Sequence, residues 1–355
     1  GLFAKALDMT GATSFQELWA MTVGPKTTWV VTLSVLALSF GAVLAYGCII
    51  GDVFSSLIPG LSRTNAILSV AVVALLPLVL AKDLSALSFS SMLGFGAVVY
   101  TAVFVVLRYL DGSYVEGGQF VADMPFGKDV AQVSLGRLSP GTLILTNMLL
   151  TAFMAHMNGP RFYLELAERT PQNFQAIANK SFGLAALVYL GMLTAGYATW
   201  GKAAQGVVLN NYSGEDKLAF VARVANGISV ITSFPLLFTS ARDGTLEAIK
   251  GSGIEKAVAG SDTAWRLFSV AMLVAVVAAA IMTTDVGFVI SLQGSLIGAA
   301  LSFTIPSMIY LGALERSGDK TTKKLPWKVL AVSGVILAVF GTTVTCLDTF
   351  TDMLA

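Results

Sequence analysis

The run Ala152-Phe-Met-Ala-His-Met-Asn-Gly-Pro-Arg-Phe-Tyr-Leu-Glu-Leu-Ala-Glu168 decides how the rest of the chain is read. An apolar stretch of spanning length meets His156, Asn158, Gly159 and Pro160, and only afterwards does helical periodicity resume. Pro160 supplies no amide hydrogen and its ring crowds the turn before it, so carbonyls over 151–156 lose their usual partners. Away from water, such freed carbonyls are tolerated only against protein or a cavity. The pattern predicts a broken membrane helix whose second half starts at Pro160, capped by Asn158 or Gly159, with its positive end toward that cavity. A carboxylate suits such an end. Thr151, His156, Asn158 and Gly159 are therefore the candidate ligand-binding residues. A proline-kinked helix packed on a neighbour would give the same letters.

Composition places this break in a membrane. Of 355 residues, 55% are hydrophobic and 12% charged. Soluble domains carry about a quarter charged residues. The mean hydropathy is +0.76. The chain reads as an all-α polytopic membrane protein in contact with the lipid bilayer. A formal net charge of +1 leaves no electrostatic footprint for nucleic acid, so basic residues report topology instead. The two cysteines, Cys48 and Cys346, lie in apolar runs without metal-ligand spacing and read as small buried hydrophobes. A single histidine excludes a His-rich metal site.

About nine stretches have the roughly 20 apolar residues that a span needs. They cover 28–51, 64–81, 85–108, 140–158, 181–201, 218–240, 265–283, 286–311 and 327–348. Residues 1–27 read as a cytoplasmic loop with a short amphipathic helix near Phe15-Gln-Glu-Leu-Trp19, and residues 28–355 as the transmembrane domain. The chain starts at Gly1 with no visible targeting signal, so it reads as beginning mid-protein. Asp52, at the edge of the first span, is expected to cap the interface or pair with Arg63. The polar segment 110–138 is expected to be an exposed loop.

Lys and Arg concentrate in 161–180, 242–266 and 316–328, which the positive-inside rule assigns to the cytoplasm. The loop holding Asn211-Tyr-Ser213, a glycosylation sequon, then faces outside or into a lumen, and Asn211 is the candidate glycan acceptor. The sixth span is the most polar. Its Ser229, Thr232 and Ser233 recur at helical spacing and share a face, where their hydroxyls could back-bond to their own helix or ligate a cation. In the eighth span, Gly294 and Gly298 permit close helix contact.

Together these letters resemble the amino acid/auxin permease family. Tyr46 with Ile50-Gly-Asp52, then Arg63, Leu76-Pro-Leu78, Lys82 and Ser91-Met-Leu-Gly94, are similar to its third to fifth spans. His156 with Tyr163-Leu-Glu-Leu166 is similar to its sixth. Ser233-Phe-Pro-Leu-Leu237 with Arg242 resembles its eighth, and Gly287, Gly294 and Pro306 its tenth. The resemblance covers essentially the whole chain. It departs in two places: the family has eleven spans, so this chain would correspond to the third through eleventh, and the proline often found directly after the histidine is here displaced to Pro160.

The resemblance implies a five-plus-five inverted-repeat amino acid transporter fold, here without its first two spans, one of them the broken first helix that supplies part of the substrate site. It implies secondary active transport of an amino acid by alternating access, driven by sodium or protons, with no enzyme activity. Sodium would be the only metal, held in part by Ser233 or Thr232, and no other cofactor is expected. The membrane would be the plasma membrane or that of a vacuole or lysosome. The alternatives are an amino acid sensor with this fold and little net transport, or an inactive truncated transporter.

Overall fold

The computed structural model describes residues 2–81, 88–125, 127, 140–155, 158–283, 285–318 and 322–351. Among them, eight helices are long and apolar enough to cross a membrane, and a shorter apolar helix covers Gly141–Ala152. In chain order the helices are α1 (Leu2–Thr10), α2 (Phe15–Thr22), α3 (Thr28–Leu57), α4 (Arg63–Leu80), α5 (Ser88–Leu110), α6 (Pro140–Ala152) and α7 (Gly159–Leu164). There follow α8 (Pro171–Trp200), α9 (Lys217–Ala248), α10 (Gly253–Gly260), α11 (Asp262–Met282), α12 (Val286–Arg316) and α13 (Leu325–Thr351). Eight of the nine expected spans are continuous helices. The fourth is not, because α6 stops at Ala152 and α7 starts at Gly159.

The chain divides into two compact units, the first formed by Gly1–Gly41, Leu138–Gly183 and Phe288–Ala355, the second by Ala42–Arg137 and Leu184–Gly287. In the first unit the N-terminal residues are more ordered than a loop. Ser14 caps α2 by accepting from the Glu17 amide, and the Glu17 carboxylate accepts from the amide and hydroxyl of Thr13, the residue before the cap, both at 2.7 Å. Phe3, Leu7, Phe15, Leu18 and Trp19 are buried with Leu301, Ile305 and Ile309 of α12. The apolar face of each short helix is thus used up by packing, which accounts for its stability despite its length.

Three turns are widened to π geometry, at Ala71–Leu75 in α4 and at Gly294–Gly298 and Ala300–Thr304 in α12. Two of them end two residues before a proline, Pro77 and Pro306. A proline ring clashes with the carbonyl four residues earlier. The wider turn accommodates it without breaking the span.

In the second unit, Arg63 donates from Nε to Asp52 Oδ1 at 2.7 Å and from Nη1 to the Ala280 carbonyl at 3.1 Å. The expected partnership of Asp52 with Arg63 therefore holds. The segment after α5 departs from expectation. Tyr114 and Phe120 are buried among Phe104, Trp200 and Tyr212, with ring centroids of Tyr114 at 5.0 Å from Tyr212 and 5.2 Å from Trp200. Residues 111–124 form a folded cap over an aromatic cluster, because two aromatic side chains among many polar ones are enough to anchor them.

Candidate functional site

The broken fourth span lies in the first unit. Helix α7 carries Pro160 as its second residue, the position in a first turn where a missing amide hydrogen costs nothing. Gly159 and Pro160 are buried and Asn158 is exposed, with its amide donating to the Ala155 carbonyl at 3.1 Å. His156 lies outside the described residues. The second half is shorter than the sequence suggests, ending at Leu164. Within it Tyr163 is buried and donates from its hydroxyl toward Asp8 or the Arg169 carbonyl, both at 3.2 Å, so α7 is tied to α1.

Thr151 lies in the last turn of α6. Its hydroxyl donates to the Ile290 carbonyl of α12 at 2.9 Å. A Cβ on Gly294 would overlap the Asn147 carbonyl and lie 2.7 Å from Thr151 Oγ1, so α6 and α12 touch backbone to backbone. Gly298, one turn on, is similarly close to Leu150 and Met154, both at 3.1 Å. The glycine spacing is thus a packing device.

Beside this contact runs a polar network that sequence reading missed. Asn147, fully buried, donates to the Gly341 carbonyl and to Thr345 Oγ1, each at 3.3 Å. Thr345 also shares a 2.8 Å hydrogen bond with Ser291, and Thr342 donates to Ser295 at 3.0 Å. Gln293 donates to the Leu38 carbonyl of α3 at 2.6 Å, in space that Gly41 leaves open. The signal was present, since Asn147 with Thr151 and Ser291 with Ser295 recur four residues apart on one helix face. Polar residues inside a membrane almost always face partners.

The candidate ion-coupling residues lie in the second unit, on α9. Thr232 donates back to the carbonyls of Ile228 and Ser229, at 2.9 and 3.1 Å. Ser229 packs against α5, where a Cβ on Gly94 would sit 2.9 Å from its Oγ. Ser233, one residue before the buried Phe234 and Pro235, is half-buried. Pro235 leaves the carbonyl of Ile231 without its usual intrahelical donor. A turn earlier, Asn226 donates to Thr101 of α5 at 2.6 Å.

The remaining site residue lies in the loop between α8 and α9. Asn211 is fully buried, its Nδ2 donating to the Ala203 carbonyl and its Oδ1 accepting from the Gln205 amide, both at 2.8 Å. These two bonds make Asn211 a clasp of the loop between α8 and α9. Around it, Arg223 donates to the carbonyls of Leu209, Tyr212 and Ser213 at 2.8, 2.6 and 3.4 Å. Asp216 is fully buried and takes a forked pair from Arg108 at 2.8 and 2.7 Å, the Tyr114 hydroxyl at 3.0 Å, and the first amides of α9. The cap over the aromatic cluster is thereby locked to α5 and α9.

A family model described as transmembrane amino acid transporter protein matches residues 3–349. The chain is 23% identical over 366 residues to sodium-coupled neutral amino acid transporter 7 of Rattus norvegicus, covering 96% of this chain and 76% of that protein. It is 28% identical over 235 residues to vacuolar amino acid transporter 7 of Saccharomyces cerevisiae, covering 66% of this chain and 46% of that protein.

Proposed function

Because this chain belongs to the transmembrane amino acid transporter family, we propose that it moves an amino acid across a membrane by alternating access, coupled to sodium or protons. The observation that carries this reading is the interrupted span, in which α6 ends at Ala152 and α7 starts at Gly159. Irregular backbone at membrane depth is the usual substrate-holding device of secondary transporters. Asn158, Gly159 and His156 would meet the substrate there. The Thr151 hydroxyl, already given to Ile290, is left to helix packing. The membrane would be the plasma membrane or a vacuolar or lysosomal one, the vacuolar choice matching the name of the yeast relative.

For the ion, Ser233 is the better of the two hydroxyls. Thr232 spends its hydrogen on its own helix, whereas Ser233 lies in the chain between Ile231, whose carbonyl Pro235 frees, and Pro235 itself. Uptake of labelled neutral amino acids by the full-length protein in proteoliposomes, under an imposed sodium gradient and separately under a pH gradient, tests the proposal. Under sodium coupling, Ser233→Ala should raise the apparent sodium constant by roughly tenfold or more, the cost of about 1–3 kcal/mol for one lost oxygen ligand. Under proton coupling, His156→Gln should abolish net uptake while exchange persists. Uptake that neither gradient accelerates overturns secondary active transport.

A further inference from the structure

A second set of residues in the second unit, away from the hydroxyls of α9, forms a cleft with a volume of about 410 Å³. It lies within the size range of small-molecule pockets, ~300–1,000 Å³. Its lining comes from the ends of three spans. Ala81 follows the last residue of α4, Thr239 and Arg242 lie toward the end of α9, and Asp262 opens α11, with Val258 and Ala259 of α10 alongside. Where span ends converge, the boundary between hydrocarbon and water lies close by.

Arg242 is the unusual member of this set. It is only 7% exposed, yet its polar contacts are long, 3.4 Å to Asp243 and 3.4 Å to Ser269. Asp243 is 63% exposed, so water screens its charge. The guanidinium lies over the Trp265 ring at 4.4 Å from the centroid. Stacking fixes the plane of the fork and leaves its edge for a ligand. A buried cation with so little opposing charge is costly unless an anion joins it. A planar fork matches phosphate with two parallel hydrogen bonds. Asp262 lines the same wall and has an interaction of its own; its carboxylate opposes any anion there, so the grip falls to the Arg242 fork.

We infer that this cleft holds the phosphate of an anionic membrane lipid, with Arg242 gripping the phosphate and Ala81, Val258 and Ala259 covering the glycerol end. The lipid source is favoured over a soluble phosphate because three span ends and three apolar side chains frame the cleft. Occupancy of the site makes transport sensitive to lipid composition.

Native mass spectrometry of the full-length protein, titrated with dioctanoyl phosphatidylglycerol, dioctanoyl phosphatidylcholine and inorganic phosphate, tests this. Phosphatidylglycerol should bind one-to-one and more tightly than phosphatidylcholine. Arg242→Gln should weaken it roughly tenfold or more. Ala259→Phe fills the cleft from an exposed position and leaves the guanidinium in place, so it should abolish binding even if the Arg242 variant folds poorly. Lys256→Gln, exposed on the same short helix, should change nothing. Unchanged binding in Ala259→Phe, or an equal loss in Lys256→Gln, overturns the site. Displacement of the lipid by millimolar inorganic phosphate overturns the lipid assignment and leaves a soluble anion site.

Discussion

Gly294→Ala should be among the most damaging single-methyl additions in this protein. The new Cβ would overlap the Asn147 carbonyl and stand 2.7 Å from Thr151 Oγ1. Neither obstacle can swing aside in full, since one is backbone and the other is held by Ile290. Helices α6 and α12 must therefore part by about 1 Å, with an overpacking cost of about 1–3 kcal/mol. The Thr151 to Ile290 bond, now 2.9 Å, would then stretch past hydrogen-bonding range and forfeit about 1 kcal/mol more. The sum is about 2–4 kcal/mol. Gly298→Ala meets Leu150 Cβ and the flexible Met154 Cε at 3.1 Å and should cost less. Gly183→Ala, within α8 and in open space, should be neutral or stabilising by up to about 1 kcal/mol. Thermal unfolding of the three detergent-purified variants, followed by uptake in proteoliposomes, would rank them. If Gly294→Ala unfolds no earlier than Gly183→Ala, the backbone contact between α6 and α12 is wrong.

Asp216→Ala should cost about 3–5 kcal/mol, because it leaves Arg108 and the Tyr114 hydroxyl facing a vacated buried site. Asp216→Asn should cost less, and limited proteolysis between 111 and 124 would report the opening. Treatment of the protein from glycosylating cells with an endoglycosidase should leave the mobility of wild type and Asn211→Gln identical, while the variant loses stability. A shift in wild type that the variant lacks would make Asn211 an acceptor. Burial raises the Tyr212 pKa to about 12 and pushes Tyr114 higher still. Their neutral forms are favoured by folding, so stability is fully present below pH 10, the usual tyrosine value, and falls as pH rises from there through about 12. Tyrosinate absorbance should accordingly appear in two stages, the later one coinciding with unfolding.

The spans and the break at 152–159 were legible because hydropathy and proline act locally. The glycine pair on α12 was legible for the same reason, since close packing needs small residues at helical spacing. The cap over Tyr114 was not. Its letters, Asp111, Gly112, Gly117 and Gly118, signal turns correctly, but burial depends on Trp200 and Tyr212, far along the chain. The sequon at Asn211 was read for its chemistry, whereas its fate is decided by a tertiary environment that three letters do not encode. The network around Asn147 lay hidden among hydroxyl residues that membrane helices commonly satisfy within themselves.

The wide turns in α4 and α12 carry a consequence for how such chains vary. A π turn holds one more residue than an α turn, so everything downstream is rotated by about 100° relative to an uninterrupted helix. Removing a single residue between Ala71 and Leu75 would restore α geometry and turn Val79, now buried, off its face. In α12, with two such turns, the phase of Ile305, Ile309 and Ala313 against the N-terminal helices depends on both extra residues. Relatives that tighten one of these turns should carry a one-residue deletion inside the membrane, compensated within that span and nowhere else.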